Sequence, residues 1–275
     1  MIEIPEASNM SRQVRESLAG KQVESVQAAG SPHKFAWYEG DPAGYPALLS
    51  GQTIQTSRPV GGMLEIVLDD TCIVFSEGAY PRLFAPDAKL PTKHQLLLTF
   101  SDGVRLAVTV RMYGGILVFK VGMGANDYYL LADQKPSPLT PAFDQGYFMA
   151  LIGAEEVQKL SAKAFLATDQ RIPGLGNGVL QDILYQAGIH PKMKINALTG
   201  DMRLILFSAI EHTLSMMGDE GGRDTEKDLF GKPGGYQTKC SKLTVGKPCL
   251  KCENLIQKGS YMGGSIYFCP SCQPI

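Results

Sequence analysis

Four of the six cysteines fall in two tight pairs, Cys249-Leu-Lys-Cys252 and Cys269-Pro-Ser-Cys272, with sixteen residues between the pairs. A Cys-x-x-Cys turn aims two thiolates at one point, and two such turns close a tetrahedral metal site. The chain opens Met1-Ile2-Glu3-Ile4-Pro5-Glu6, acidic where a secretory signal is basic and followed by no apolar stretch, so a cytoplasmic, reducing setting is expected. There the spacing reads as a structural Zn2+ site on Cys249, Cys252, Cys269 and Cys272 rather than as disulfides. A redox pair is the competing reading. A closed four-cysteine site leaves no open position, so its metal stabilises a fold and performs no chemistry. Between the pairs, Gly259, Gly263-Gly264 and Ile266-Tyr267-Phe268 suit a β-hairpin. Cys72 and Cys240 lie outside the spacing and read as buried small residues.

At 275 residues, with 44% apolar and 19% charged residues, the chain is an ordinary globular one and long enough for two domains, or one plus a small module. No apolar run reaches the ~18 residues of a membrane span, and no membrane partner is expected. Charge is uneven. From Gly221 onward eight Lys or Arg face four acids, a net of +4, while the preceding 220 residues hold 18 basic and 23 acidic residues, a net of −5. A basic tail on an acidic body is a partial footprint for a polyanion, although a solvated lysine-rich face is the commoner cause.

Periodicity divides the chain. Ala7, Met10, Val14 and Leu18 fall at helical spacing, with Gly20 as a stop. From about Gly51 the period becomes two: Leu64, Ile66 and Leu68, then Cys72 to Phe75, Gln95 to Phe100, a Ser101-Asp102-Gly103 turn, Leu106/Val108/Val110 and Ile116/Val118. Short strands joined by such turns predict an antiparallel β-sandwich or barrel. Pro136, Pro138 and Pro141 form a linker, beyond which helices are expected over 155–166, 179–187 and 202–216. The Gly- and charge-rich stretch Asp219 to Tyr236 reads as an exposed loop. The expected fold is α+β: an antiparallel β-sandwich over 1–135, a helical domain over 136–238, and a zinc hairpin over 239–275.

Between two of these helices lies Arg171-Ile-Pro-Gly174-Leu175-Gly176-Asn177-Gly178, followed by Ala187-Gly188-Ile189-His190-Pro191. A glycine-rich turn opening a helix offers unpaired N–H groups to a phosphate, and an Asn side chain adds a donor. A tight helix–helix corner would use the same glycines, and spacing alone does not separate the two. His190 reads as a residue that caps or packs the turn.

Together with the cysteine hairpin and the chain start, this motif resembles the formamidopyrimidine-DNA glycosylase / endonuclease VIII family of base-excision repair enzymes, over nearly the whole chain. Gly174-Leu175-Gly176-Asn177 through Pro191, with Asp169-Gln170 upstream, is similar to that family's helix–two-turn–helix. Gly246-Lys247-Pro248-Cys249 to Cys272-Gln273 is similar to its zinc finger. Arg111-Met112-Tyr113-Gly114 resembles its Arg-x-Phe-Gly loop, which fills the gap left by an extruded nucleotide.

The resemblance implies a monomeric DNA glycosylase acting on double-stranded DNA with a damaged or abasic site. It further implies DNA contacts from Asn177, Gly176, Lys247, Arg111 and Tyr113. The family's chemistry needs an everted base, a terminal amine that attacks the sugar carbon, and a neighbouring glutamate that moves protons. A terminal amine suits this because its pKa is about 8. In this sequence those roles fall to Met1 and Glu3. Departures accompany the match. Ile2 replaces the family's proline nucleophile, and a residue of that size ordinarily leaves Met1 in place, putting the amine ~3.5 Å further out. Gly62 replaces a lysine that assists strand cleavage, Gly264 or Ser265 an arginine that grips phosphates, and Ser76 a histidine. These substitutions imply weak or lost strand cleavage, and they admit a second reading: a catalytically silent protein that binds damaged DNA or abasic sites. A third, a zinc ribbon that binds RNA or protein, requires the Gly-Leu-Gly-Asn match to be coincidence.

Overall fold

The computed structural model describes residues 1–275, and its contacts separate into two units: Met1–Gln134 with Glu226–Gly234, and Lys135–Thr225 with Gly235–Ile275. Each is described by itself.

The first unit opens with helix α1, Ile4–Leu18, whose apolar spacing packs Ala7, Met10, Val14 and Leu18 into the core. Pro5 sits in the first turn, where a missing N–H costs nothing. A capping box joins Glu3 and Glu6, and Gly20 at φ +80° turns the chain out. The strands are β1 (Val23–Ala28), β2 (Ala36–Tyr38), β3 (Thr56–Val60), β4 (Met63–Val67), β5 (Thr71–Phe84), β6 (Leu96–Phe100) and β7 (Arg105–Lys120). They form one sheet in the order β1-β6-β7-β5-β4-β3, with β2 added in parallel on β7 and every other pair antiparallel. Two short helices, α2 (Tyr45–Leu49) and α3 (Asp127–Gln134), complete the unit.

Sequence periodicity breaks at Arg111–Gly115, which suggests two strands. The backbone runs through. Opposed bulges carry β5 and β7 past the break, with Glu77 at φ +59° and Met112 at φ +64°. Gly78 and Gly114 permit this: a Cβ on Gly78 would lie 2.1 Å from the Arg111 carbonyl oxygen, and one on Gly114 2.5 Å from the Ala79 nitrogen. Strands β1, β2 and β3 carry no clear alternation in sequence. β3 even contains Pro59, which is tolerated because β3 is the sheet edge.

The second unit contains α4 (Gln145–Gly153), α5 (Ala162–Ala167), α6 (Val179–Ala187) and α7 (Gly200–Asp219), then the hairpin β8 (Gln257–Tyr261) and β9 (Gly264–Phe268). The helix expected over 155–166 is instead a 3-10 turn and the short α5, because the Ser161 hydroxyl accepts from the Ala164 N–H and starts a new helix there. Gly188 at φ +69° ends α6 in a left-handed cap. Phe143, Phe148, Phe165 and Phe207 meet as the aromatic core between α4, α5 and α7.

The stretch Asp219–Tyr236 departs from the exposed loop expected of it. Leu229 is fully buried in the first unit's core, its N–H donates to Gln13 Oε1, and its carbonyl accepts from the Leu83 N–H. Asp228 accepts from the Gln13 amide. In the second unit, Arg223 and Tyr236 are buried and bridged in parallel. A buried leucine and its hydrogen bonds to Gln13 and Leu83 anchor the charged segment. No helix is long and apolar enough to cross a membrane.

Candidate functional site

In the first unit the chain start, the bulge and the Leu229 segment meet. The Met1 α-ammonium pairs with Glu226 Oε1 at 2.8 Å, and Glu226 Oε2 accepts from the Tyr80 hydroxyl at 3.2 Å. Burial, and then the Glu226 carboxylate, push the Tyr80 phenol well above its ordinary range. Two guanidinium groups lie near its ring, Arg82 at 5.5 Å and Arg111 at 5.6 Å from the centroid. Burial lowers the pKa of Arg82.

Ile2 is held as an interior residue: its side chain is 3% exposed and its N–H donates to the Glu77 carbonyl at 2.9 Å. Glu3 is buried at the start of α1, where helix-end N–H groups favour a carboxylate. Arg111, Met112 and Tyr113 all face solvent, three consecutive exposed residues in a strand that is otherwise mostly buried. This is the consequence of the bulge, because a regular strand would have turned one of them inward. Burial, then Glu77 and Glu3, raise the Tyr113 phenol. Met1, Glu3, Arg111 and Tyr113 therefore belong to one neighbourhood. The positions of the expected lysine and histidine hold no such group: Gly62 lies in the β3–β4 turn and Ser76 is buried on β5.

In the second unit, the glycine turn is stitched to the hairpin. Asn177 Nδ2 donates to the Ser265 carbonyl at 3.0 Å. One turn further along α6, Gln181 donates to the Asn177 and Ser265 carbonyls and accepts from the Tyr267 N–H. Gly176 supplies its carbonyl to the Leu180 N–H. Lys247 is exposed in the turn before Cys249, its backbone paired with Thr244 and Ile256. His190 is 3% exposed, accepts from the Lys192 N–H and packs edge-on against Phe268, the packing role expected of it.

The four cysteine sulfurs lie within 4.8 Å of one another, with 3.8 Å between Cys249 and Cys272 and 3.4 Å between Cys252 and Cys269. A tetrahedron with ~2.3 Å metal–sulfur bonds has edges of ~3.8 Å, so the set fits a metal ion. No disulfide joins them. The Lys251 and Cys272 N–H groups point at the Cys249 and Cys269 sulfurs, an arrangement that favours thiolates. Cys72 and Cys240 are buried, as expected.

Several site residues escape sequence reasoning. Glu226 and Tyr80 gave no signal, one inside a charge-rich stretch and the other on a strand. Lys163 lies 5% exposed, its ammonium donating to the Tyr261 carbonyl at 2.7 Å and sitting 3.2 Å from where a Cβ on Gly264 would be. Burial lowers its pKa. The one available clue was a lysine inside the apolar run Ala162–Leu166. Gln181 carried a better one, four residues beyond Asn177 in the first turn of α6. Asp182 is nearly fully buried and accepts from the Lys239 and Cys240 N–H groups; burial lifts its pKa to about 6.

No family model matches the chain. A formamidopyrimidine-DNA glycosylase of Bacillus licheniformis is 30% identical over 285 residues, covering 99% of this chain and 99% of the relative. Among solved structures, a complex between the Lactococcus lactis Fpg and an abasic-site-containing DNA matches with a TM-score of 0.83 at 25% identity, covering 99% of this chain and 100% of that one. A complex of the same Lactococcus lactis protein with a Fapy-dG-containing DNA matches to the same extent, with a TM-score of 0.83 at 25% identity and the same coverage.

Proposed function

The chain belongs to the formamidopyrimidine-DNA glycosylase family, and on that premise we propose that it is a base-excision repair glycosylase acting on double-stranded DNA with a damaged base or an abasic site. Family membership supplies the activity class. The observation in this chain that carries the reading is the opposed bulge of β5 and β7, which turns Arg111, Met112 and Tyr113 outward together. Strained backbone of this kind collects at functional sites. A guanidinium beside an exposed ring suits the gap from which a nucleotide has been everted. Asn177, Gly176 and Lys247 are the contacts to the DNA backbone, contributions that position a duplex without reading its sequence.

The Met1 amine is the nucleophile and Glu3 the proton-transferring carboxyl. The ion pair with Glu226 fixes where that nitrogen lies, and the ammonium must give up a proton, with Glu226 in place to accept it, before it can attack. Cys249, Cys252, Cys269 and Cys272 hold a structural Zn2+, which supplies stability to the hairpin and no chemistry. The protein works as a monomer in the cytoplasm, with chromosomal DNA.

One observation favours a second reading, binding without chemistry. The Ile2 N–H is committed to Glu77 and its side chain to the core, so the residue that replaces the family's proline is built in as structure. Borohydride trapping on an oligonucleotide with an abasic site separates the two. A covalent adduct mapped to residue 1, reduced in Glu3→Gln, supports the glycosylase. Tight binding with no adduct leaves the silent binder.

A further inference from the structure

The only tryptophan of the chain lies where the bulge emerges. Strand β2 pairs in parallel with β7, placing Trp37 opposite Gly115. That glycine makes room for the indole: a Cβ there would lie 2.6 Å from Trp37 Nε1 and 2.7 Å from Ser76 Oγ. The ring so seated lies 6.1 Å from the Tyr113 ring, centroid to centroid, with 14° between their planes. Both rings face solvent, Trp37 at 43% and Tyr113 at 37% exposure. Three glycines thus serve one corner. Gly78 and Gly114 let the bulges approach and push Tyr113 out, and Gly115 sets the indole beside it.

Large aromatic rings bury apolar area wherever the fold allows, so two near-parallel rings held at the surface by dedicated glycines call for an occupant. Two exposed cations flank the rings in the chain: Arg111 two residues before Tyr113, and Lys34 three residues before Trp37 with its ammonium 5.3 Å from the Phe35 ring. Apolar rings flanked by positive charge are complementary to a flat, apolar group on an anionic backbone, which describes a nucleic-acid base released from its stack. We propose that Trp37 and Tyr113 together form a stacking surface for an unpaired base of the bound DNA. The proposal rests on the function given above and adds Trp37, a specificity-determining residue for disrupted over intact duplex. Stacking is tolerant of base identity, because every base has a π-face. The surface therefore selects for loss of pairing, whatever the lesion.

A single tryptophan makes the test direct. Binding of end-labelled duplexes by the full chain is followed by anisotropy, and Trp37 emission is recorded at saturation. Three duplexes are used: fully paired, with one abasic site, and with one unpaired base. The expected result is quenching by the two disrupted duplexes and little by the paired one. Trp37→Leu should weaken binding to the disrupted duplexes by roughly five- to a hundredfold, with Trp37→Phe close to wild type and affinity for the paired duplex changed less than about twofold. Tyr113→Leu, which keeps the fluorophore, should reduce the quenching. Saturated binding with unchanged Trp37 emission overturns the inference and leaves the proposed function standing. So does a Trp37→Leu loss equal on all three duplexes. No binding to any duplex overturns the proposed function and the inference with it.

Discussion

The bulge on β7 and the hairpin β8–β9 are both pieces of antiparallel strand that present groups to solvent, and they are held by opposite means. The bulge stands on a seven-stranded sheet whose core residues, among them Phe75, Leu106, Val108 and Ile116, are fully buried. That core tolerates two left-handed non-glycine residues at once, Glu77 and Met112, at about 1–3 kcal/mol each. The hairpin has Ile266 as its one buried residue, and besides hydrogen bonds from Asn177, Gln181 and Lys163 its anchor is four sulfurs. A large apolar core can hold strain; a strand pair without one needs a covalent or metal clamp.

The largest effect expected of breaking this contrast comes from the cysteines. Chelation, or Cys269→Ser, removes a clamp worth on the order of 10 kcal/mol in small zinc modules. The hairpin should lose its fold and oligonucleotide binding should vanish, while the sheet still melts cooperatively. Metal content by mass spectrometry, melts by circular dichroism and affinity by anisotropy check this. Unchanged affinity after verified metal loss would show that the hairpin stands without its metal.

On the other side of the comparison, Gly78→Ala puts a methyl group 2.1 Å from the Arg111 carbonyl oxygen and 2.6 Å from that of Tyr113. Neither atom is the end of a flexible side chain, so the backbone must move. The cost should be about 3 kcal/mol, read from urea melts of the first unit. An unchanged midpoint would mean that the core does not hold the bulge as closely as the contrast requires.

Asn177→Ala touches the hairpin from outside. The Ser265 carbonyl loses one of its two donors, keeping Gln181, and the duplex loses a contact. Binding should weaken by about 1–2 kcal/mol, equally for paired, abasic and damaged duplexes, since a backbone contact carries no sequence information. A loss confined to one lesion would assign Asn177 to the base instead.

The same contrast decides how much of the molecule was legible in the sequence. Motifs with a fixed local chemistry read directly: the cysteine spacing, the Gly174–Asn177 turn, the α6 boundaries and the Ala7-Met10-Val14-Leu18 stripe are all where the spacing put them. Features made by long-range pairing did not. β2 has three residues and no alternation, and its existence depends on β7 supplying a partner 78 residues away, Gly114 for Ala36. The continuity of β7 was hidden because the bulge interrupts the very alternation used to find strands. Glu226 was unreadable for a similar reason. Its neighbours Lys227 and Asp228 advertise a solvated loop, and only the burial of Leu229 in the other half of the sequence brings its carboxylate to the Met1 amine.

The smallest expected effect sharpens the contrast most finely, because it improves the hairpin instead of breaking it. The β8–β9 turn has two residues, Met262 at φ +51° and Gly263 at φ +70°, the conformation for which Asn-Gly is the preferred pair. A methionine held left-handed costs about 1 kcal/mol, and asparagine relieves part of this by bonding to its own backbone. Met262 is half exposed, and its one polar contact is a 3.8 Å approach of the Ser161 hydroxyl to its sulfur, so little packing is lost on exchange. Met262→Asn should therefore stabilise the hairpin by about 0.5 kcal/mol. With the four sulfurs clamped, that gain should barely move the metal-loaded melt, because the clamp already sets the strand register from the other end. It should show as slower loss of the hairpin signal during titration with a chelator, where turn and clamp compete directly. A gain of about 2 kcal/mol or more in the loaded protein would mean that the turn, and not the cysteine cluster, limits the hairpin.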